Sequence, residues 1–157
     1  MNGRPTDRLT IREAEARDLE PIVRLHGEDT LGGLEDAWTP ETRGTYEAAF
    51  AAIAANPDNT LYVAELDGRV VGTFQITVFP TLTGRGATRV RIGAVQVAAE
   101  LRSKGIGARM IAFAEEAGRA RGARSVELSS NKRGTEAHRF YERIGYARSH
   151  EAFKKRL

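Results

Sequence analysis

Apolar residues recur along the chain at two spacings, one typical of helices and the other of strands. Leu19, Ile22, Val23 and Leu25 fall on one face of a helix and predict a helix over 17–26. Further helices are predicted from Pro40 to the residue before Asn56, over 105–121 and over 135–144. Strands are predicted over 9–14, 61–66, 70–79, 88–98, 125–129, 146–149 and 152–155.

Residues between these segments support the predicted boundaries. Thr39 is a good N-cap with Pro40 at the first helical position, and Asp67-Gly68 is a hairpin turn signal. Gly93, inside the strand over 88–98, is typical of a bulge. The order β-α-α-β-β-β-α-β-α-β has no internal repeat or linker. It predicts a single α/β (α+β) domain over 1–157, a mixed central sheet flanked by helices.

The composition excludes several classes of protein. The 157 residues contain no cysteine, which excludes disulfides, thiolate metal sites and a catalytic cysteine. Because His26, His138 and His150 lie far apart, we expect no metal. No apolar run is long enough to cross a bilayer, and 1–8 has no secretory signal. We therefore expect a cytoplasmic protein with no membrane partner.

The charge of the chain argues against nucleic acid as a partner. The net charge is only +3, and most arginines are interleaved with acidic residues. The nearest approach to a basic stripe, formed by Arg85, Arg89 and Arg91, is short. We expect no nucleic-acid partner.

The segment 95–108 has the pattern of a phosphate site, because a strand is followed by a glycine turn and the start of a helix. The first turn of a helix has N–H groups without partners and a partial positive charge. Gly105 and Gly107 lack Cβ atoms where a backbone would approach an anion, and Arg102 and Lys104 add cations. Neither the P-loop pattern nor the dinucleotide-binding pattern fits this segment.

Two motifs in this chain resemble those of the GNAT superfamily of acetyl-CoA-dependent N-acetyltransferases. Arg102, Gly105 and Gly107 fit the pattern Arg/Gln-x-x-Gly-x-Gly/Ala. About 30 residues beyond Gly107, the run Ala137-His-Arg-Phe-Tyr-Glu-Arg-Ile-Gly-Tyr146 resembles that family's A-x-x-F-Y-E-(K/R)-x-G-(F/Y) helix. The order of predicted elements agrees over most of the chain and is least similar over 15–60.

The resemblance implies a cofactor site and a reaction. Acetyl-CoA would bind with its pyrophosphate on the loop 102–108 and its pantetheine arm along 95–97, where the family's strands splay. The cofactor-binding residues so implied are Val95, Gln96, Val97, Arg102, Ser103, Lys104, Gly105, Ile106, Gly107, Ala108 and Asn131. An amine would attack the thioester directly, and Tyr141 would protonate the leaving thiolate as general acid.

The resemblance leaves the general base open. Some members of the family carry a glutamate on the strand that matches 88–97, but here Arg89, Arg91 and Gly93 occupy those positions. Glu127, Glu28 and Asp29 are alternatives, and solvent is another.

The acceptor is expected to be a primary amine on a small molecule or on a protein. The segment 27–38 has four acidic residues and Trp38, which suit a cationic acceptor or form an ordinary acidic loop. A homodimer is compatible with the sequence.

Each of these residues also has a purely structural interpretation. The two glycines ease a tight turn, Tyr141 is a packed aromatic, Asn131 holds a turn, and Arg102 and Lys104 are solvated cations. At the level of function, the alternative is a non-catalytic acyl-CoA-binding regulatory module.

Overall fold

A mixed β-sheet lies at the centre of the protein, as the sequence predicts. The computed structural model describes residues 5–29, 31 and 35–157, so part of the 27–38 segment lies outside the described residues. The strands are β1 (Leu9–Glu13), β2 (Asn59–Leu66), β3 (Arg69–Pro80), β4 (Thr88–Val97) and β5 (Ser125–Leu128). They pair in the order β1-β2-β3-β4-β5, all antiparallel except β4 and β5, which are parallel.

Helices pack on the sheet and begin where the sequence predicts them. They are α1 (Leu19–Gly27), α2 (Pro40–Ala54), α3 (Ile106–Ala120) and α4 (Thr135–Arg143). Thr39 caps α2, since its hydroxyl accepts a hydrogen bond from the Thr42 N–H at 3.3 Å and its own N–H donates to the Thr42 hydroxyl at 3.0 Å. Predicted and observed boundaries of these helices and of the five strands differ by at most two residues.

Alternating side chains give the sheet two different faces. Phe74 on β3 packs edge-on against Phe113 of α3, with ring centroids 6.2 Å apart. A Cβ placed on Gly118 of α3 would lie 2.9 Å from Val90 on β4, so Val90 also faces α3. Because neighbouring residues of a strand point to opposite faces, Arg91 points to the other face of the sheet.

β4 bends at a bulge, as Gly93 predicts. Gly93 pairs with Gln75 on β3, but Gln96 pairs with Thr73, so β4 has more residues than β3 over this stretch. Ala94 follows Gly93 and takes a left-handed backbone conformation with φ of 51°. The bulge therefore re-aims the part of β4 that follows it.

β4 and β5 separate beyond the bulge. Their parallel pairing ends at Ile92 and Leu128, whereas β4 continues over residues 93–97. Over this stretch, and among the described residues, no strand pairs with β4 on the side of β5. We call the space beside this unpaired edge of β4, beyond the carboxyl end of β5, the cleft.

A half-buried ion-pair network joins β1, β2 and the start of α1. The Arg12 guanidinium donates to the two carboxylate oxygens of Asp18 at 2.7 and 2.9 Å and to Glu65 at 2.7 Å. Asp18 is only 3% exposed. Burial by itself would raise the pKa of Asp18, but hydrogen bonds from Arg12 and from the Glu15 N–H outweigh it and lower that pKa.

The prediction of two further strands, over 146–149 and 152–155, is wrong. No strand forms there, and all residues from Ala147 to Leu157 are exposed. Phe153, 92% exposed, is the one large apolar residue between Ala147 and Arg156, so pairing this segment would bury little apolar surface. Tyr146 packs against the core at the end of α4 and donates its hydroxyl to Glu115 at 3.1 Å.

Candidate active site

A glycine loop connects β4 to α3 beside the cleft. Ser103 and Gly105 both take left-handed backbone conformations, with φ of 60° and 85°. Gly105 is the N-cap of α3 and offers no side-chain hydrogen bond to the first turn, so the N–H groups of that turn have no capping side chain. Arg102 and Lys104 are exposed on either side of Ser103. The loop thus combines free N–H groups with two cations, as an anion site requires.

The structure shows a packing reason for glycine at position 107, which the sequence did not predict. A Cβ at this position would meet the ring of Phe140 at 3.3 Å, so the missing side chain makes room for α4 against the start of α3. The expectation that Gly107 is small mainly to admit an anion therefore has a second explanation. The contact also shows that the two motifs, separated in sequence, meet in space.

The strand 95–97 forms one wall of the cleft. The Ala98 N–H donates to the Val71 carbonyl at 2.9 Å, and Gln96 pairs with Thr73. The backbone groups of Gln96 and Ala98 therefore face β3. Alternation in an antiparallel pair turns the backbone groups of Val95 and Val97 towards the cleft. The Val97 carbonyl accepts from Nε of Arg102 at 3.2 Å, which holds that side chain near the cleft.

Tyr141 has a ring packed in the core and a hydroxyl that is free of partners among the described residues. Its ring lies 5.0 Å from that of Phe140 and 6.0 Å from that of Tyr146, measured between centroids. Burial raises the pKa of Tyr141 above its ordinary value. The phenol is therefore protonated at neutral pH and able to donate a proton.

Asn131 holds a turn and a loop. Its Oδ1 accepts from the Arg133 N–H at 3.0 Å, and its Nδ2 donates to the carbonyl of Leu31 at 2.8 Å. Arg133 also donates to that carbonyl, at 3.2 Å. The turn interpretation is thus satisfied by the observed contacts, whereas the cofactor contact stays a prediction.

The segment after α1 contacts both sides of the cleft. Leu31 meets Asn131 beyond β5, and the carboxylate of Glu28 accepts from the Ala99 N–H beyond β4 at 3.2 Å. Sequence reasoning missed both contacts, because residues about 70 and 100 positions apart carry no local pattern that pairs them. No signal in the sequence would have identified them.

The carboxylates named as alternative bases are engaged by other groups. Glu127 accepts from Nε and Nη2 of Arg91 at 2.9 and 2.6 Å, and Glu28 is held by Ala99. Asp29 accepts from the Leu31 N–H at 3.0 Å. None of these three is a free base as the structure stands.

In the described part of the acidic segment before α2, Asp36 and Trp38 are both engaged by other residues of the protein. Asp36 accepts from the Tyr46 hydroxyl at 2.8 Å, and the guanidinium of Arg43 lies over the Trp38 ring, 5.9 Å from its centroid. The indole face therefore already carries a cation of the protein itself.

Within residues 5–29, 31 and 35–157, no group of three or more His, Cys, Asp or Glu side chains is placed to hold a metal ion. In the same part of the chain, no helix is both long enough and apolar enough to cross a membrane.

Comparison with known proteins agrees with the fold. A family model described as the acetyltransferase (GNAT) family matches residues 19–146. An aminoalkylphosphonate N-acetyltransferase of Salmonella typhimurium is 36% identical over 115 residues, which cover 71% of this chain and 72% of that protein.

Solved structures share the whole architecture. A protein of Bacillus halodurans described as a transcriptional regulator has a TM-score of 0.90 and 34% identity, covering 95% of this chain and 99% of that one. A putative acetyltransferase of Agrobacterium tumefaciens has a TM-score of 0.81 and 26% identity, covering 94% and 99%.

Proposed function

The chain belongs to the GNAT family of acetyltransferases, and from that premise we propose that it moves an acetyl group from acetyl-CoA to a primary amine by direct attack. N-acetyltransferase activity follows from the family and from the Salmonella relative. The observation that carries the finer proposal is the edge of β4 beyond Ile92, which has no partner strand on the side of β5 and leads into the glycine loop before α3.

The residues around the cleft fit acetyl-CoA. The N–H groups at the start of α3, with Arg102 and Lys104, suit the pyrophosphate. The backbone of Val95 and Val97 faces the cleft and suits the amide groups of the pantetheine arm. Ile106 is only 1% exposed as a whole residue, so the structure gives no support to a contact between this residue and a ligand. Gln96, Ser103, Gly107, Ala108 and Asn131 stay proposed contacts.

The reaction needs one acid and a well-placed amine. Acetyl-CoA supplies the acetyl group as a thioester. As the amine nitrogen bonds to the acetyl carbon, the carbon–sulfur bond breaks, and Tyr141 donates its phenolic proton to the sulfur. The amine loses its proton to solvent or a carboxylate, and solvent reprotonates Tyr141. Holding both reactants in the cleft can supply roughly 7–11 kcal/mol of the acceleration.

The acceptor we propose is a small aminoalkylphosphonate. The Salmonella relative is named for this class of substrate, and it is 36% identical to the chain over 71% of its length. The contacts of Asp36 and Trp38 give no support to a purely cationic acceptor. A cytoplasmic location and a homodimer stay predictions.

A turnover assay tests the proposed function. The purified chain is mixed with acetyl-CoA and 2-aminoethylphosphonate, free thiol is followed with time, and the product is weighed by mass spectrometry. We expect thiol release and N-acetylated product at equal rates, and neither without the amine. Acetyl-CoA binding without transfer to this or any primary amine would show a binding module instead.

A further inference from the structure

We propose that Arg89 and Arg91 on β4 bind the phosphonate of the acceptor, on the sheet face opposite α3. This assignment rests on the proposed function and deepens it, because it names the residues that select the substrate. Neither the glycine loop nor Tyr141 accounts for these two arginines.

The two arginines lie side by side. They are two positions apart on one strand and therefore share a face of the sheet. Their side chains are 34% and 62% exposed, so both are accessible to a small ligand. Arg89 is fixed by a hydrogen bond from its Nη2 to the Thr83 hydroxyl at 3.0 Å, and the Arg91 guanidinium lies over the Phe79 ring at 5.2 Å.

The carboxylate of Glu127 lies close to both arginines. Glu127 lies 2.6 Å from Arg91 and 4.0 Å from Arg89, measured between nitrogen and oxygen atoms. There is no acidic residue between Asp67 and Glu100, the stretch that contains β3 and β4. Two guanidiniums with a single carboxylate leave an excess positive charge on this face, and their fork geometry suits a phosphonate.

The position of the pair suits the length of the substrate. Arg91 lies two residues before Gly93, where β4 and β5 have just separated. At about 3.3 Å per residue, the arginine is about 7 Å along the strand from the opening of the cleft. A short alkyl chain with an amine at one end and a phosphonate at the other spans this interval with the reach of the arginine side chain.

Steady-state kinetics with two acceptors test the assignment. 2-Aminoethylphosphonate and propylamine are compared at saturating acetyl-CoA, in the wild-type protein and in Arg91→Gln and Arg89→Gln. We expect KM for the phosphonate to rise about tenfold or more in each variant, since each loses a charge-assisted contact, while KM for propylamine is unchanged. Arg119→Gln, on the exposed side of α3, is the matched control and should change neither KM.

The outcomes separate this assignment from the proposed function. If the wild-type protein acetylates propylamine as readily as the phosphonate, the transferase proposal stands and the arginine site is wrong. An equal loss with both amines, or no loss with either, in variants with a normal thermal melt also overturns the site. No turnover with any amine overturns the proposed function itself, whereas undiminished binding of 2-aminoethylphosphonate to Arg91→Gln, measured calorimetrically, overturns the site alone.

Discussion

Tyr141 packs in the core and is also the residue that we propose as general acid. Its ring packs between Phe140 and Tyr146, which satisfies the structural interpretation of an apolar aromatic. Its hydroxyl has no hydrogen-bond partner among the described residues, unlike that of Tyr146, which donates to Glu115. The packing fixes the ring, and the free hydroxyl is what a general acid requires.

Replacing Tyr141 by Phe should therefore lower the rate of acetyl transfer without unfolding the protein. We expect kcat to fall about 100-fold with KM for acetyl-CoA nearly unchanged. Because burial raises the pKa of Tyr141, the wild-type rate should fall only on the far alkaline side, as the phenol loses its proton. That limb should be absent from the pH profile of the variant. Tyr146→Phe is the matched control, and an effect of similar size there would count against the assignment.

The buried carboxylate of Asp18 contributes to the stability of the fold. Its carboxylate is buried against Arg12, and its pKa is lowered. The stabilisation is present above the ordinary value of 3.8 and is lost as the pH falls through the lower pKa of the folded state. Asp18→Asn should cost roughly 2 kcal/mol of unfolding free energy near neutral pH and flatten the acid limb of stability.

Urea unfolding across the pH range measures this effect. Asp67→Asn is the control, since Asp67 pairs with Arg8 on the surface and both are more than half exposed. The control should cost less than about 1 kcal/mol. Equal costs for the two variants would contradict the buried-pair argument.

At the scale of elements, Gly107 joins the first turn of α3 to α4. A valine there would push into the Phe140 ring, which a single Cβ would already meet at 3.3 Å. We expect Gly107→Val to lower the melting temperature as well as the affinity for acetyl-CoA, and Gly107→Val with Phe140→Ala to recover part of the stability. Thermal melts of the single and double variants decide this, and a Gly107→Val protein of wild-type stability would refute the contact.

The elements that sequence patterns predicted are those with strong local signals. Apolar periodicity and the Thr39-Pro40 start predicted α2, and Asp67-Gly68 predicted the hairpin of β2 and β3. The strands predicted over 146–149 and 152–155 do not form, because these segments have few apolar side chains to bury.

The candidate site was predictable only in part, for a related reason. A glycine turn followed by a helix start predicts an anion loop from consecutive residues alone. The contacts of Glu28 with Ala99 and of Leu31 with Asn131 depend on where the chain returns after many residues. The ion pair of Glu127 with Arg91 was likewise not predictable from the sequence, because it depends on the parallel pairing of β4 with β5.

At the scale of the whole molecule, we propose that three features act together at one cleft: the glycine loop at the start of α3, Tyr141 on α4 and the arginines of β4. The net charge of the chain is +3. Between Asp67 and Glu100 there are arginines but no acidic residue, so this stretch is positively charged. An anionic cofactor and an anionic acceptor would both approach this region, and such attraction weakens with salt.

Calorimetric titration of the purified chain with acetyl-CoA, with ATP and NAD as controls, tests the central claim most directly. The account predicts one site per chain that takes acetyl-CoA with micromolar affinity and neither control with comparable affinity. Absence of acetyl-CoA binding, or equal binding of ATP, would contradict it and leave the glycines before α3 with only a structural role.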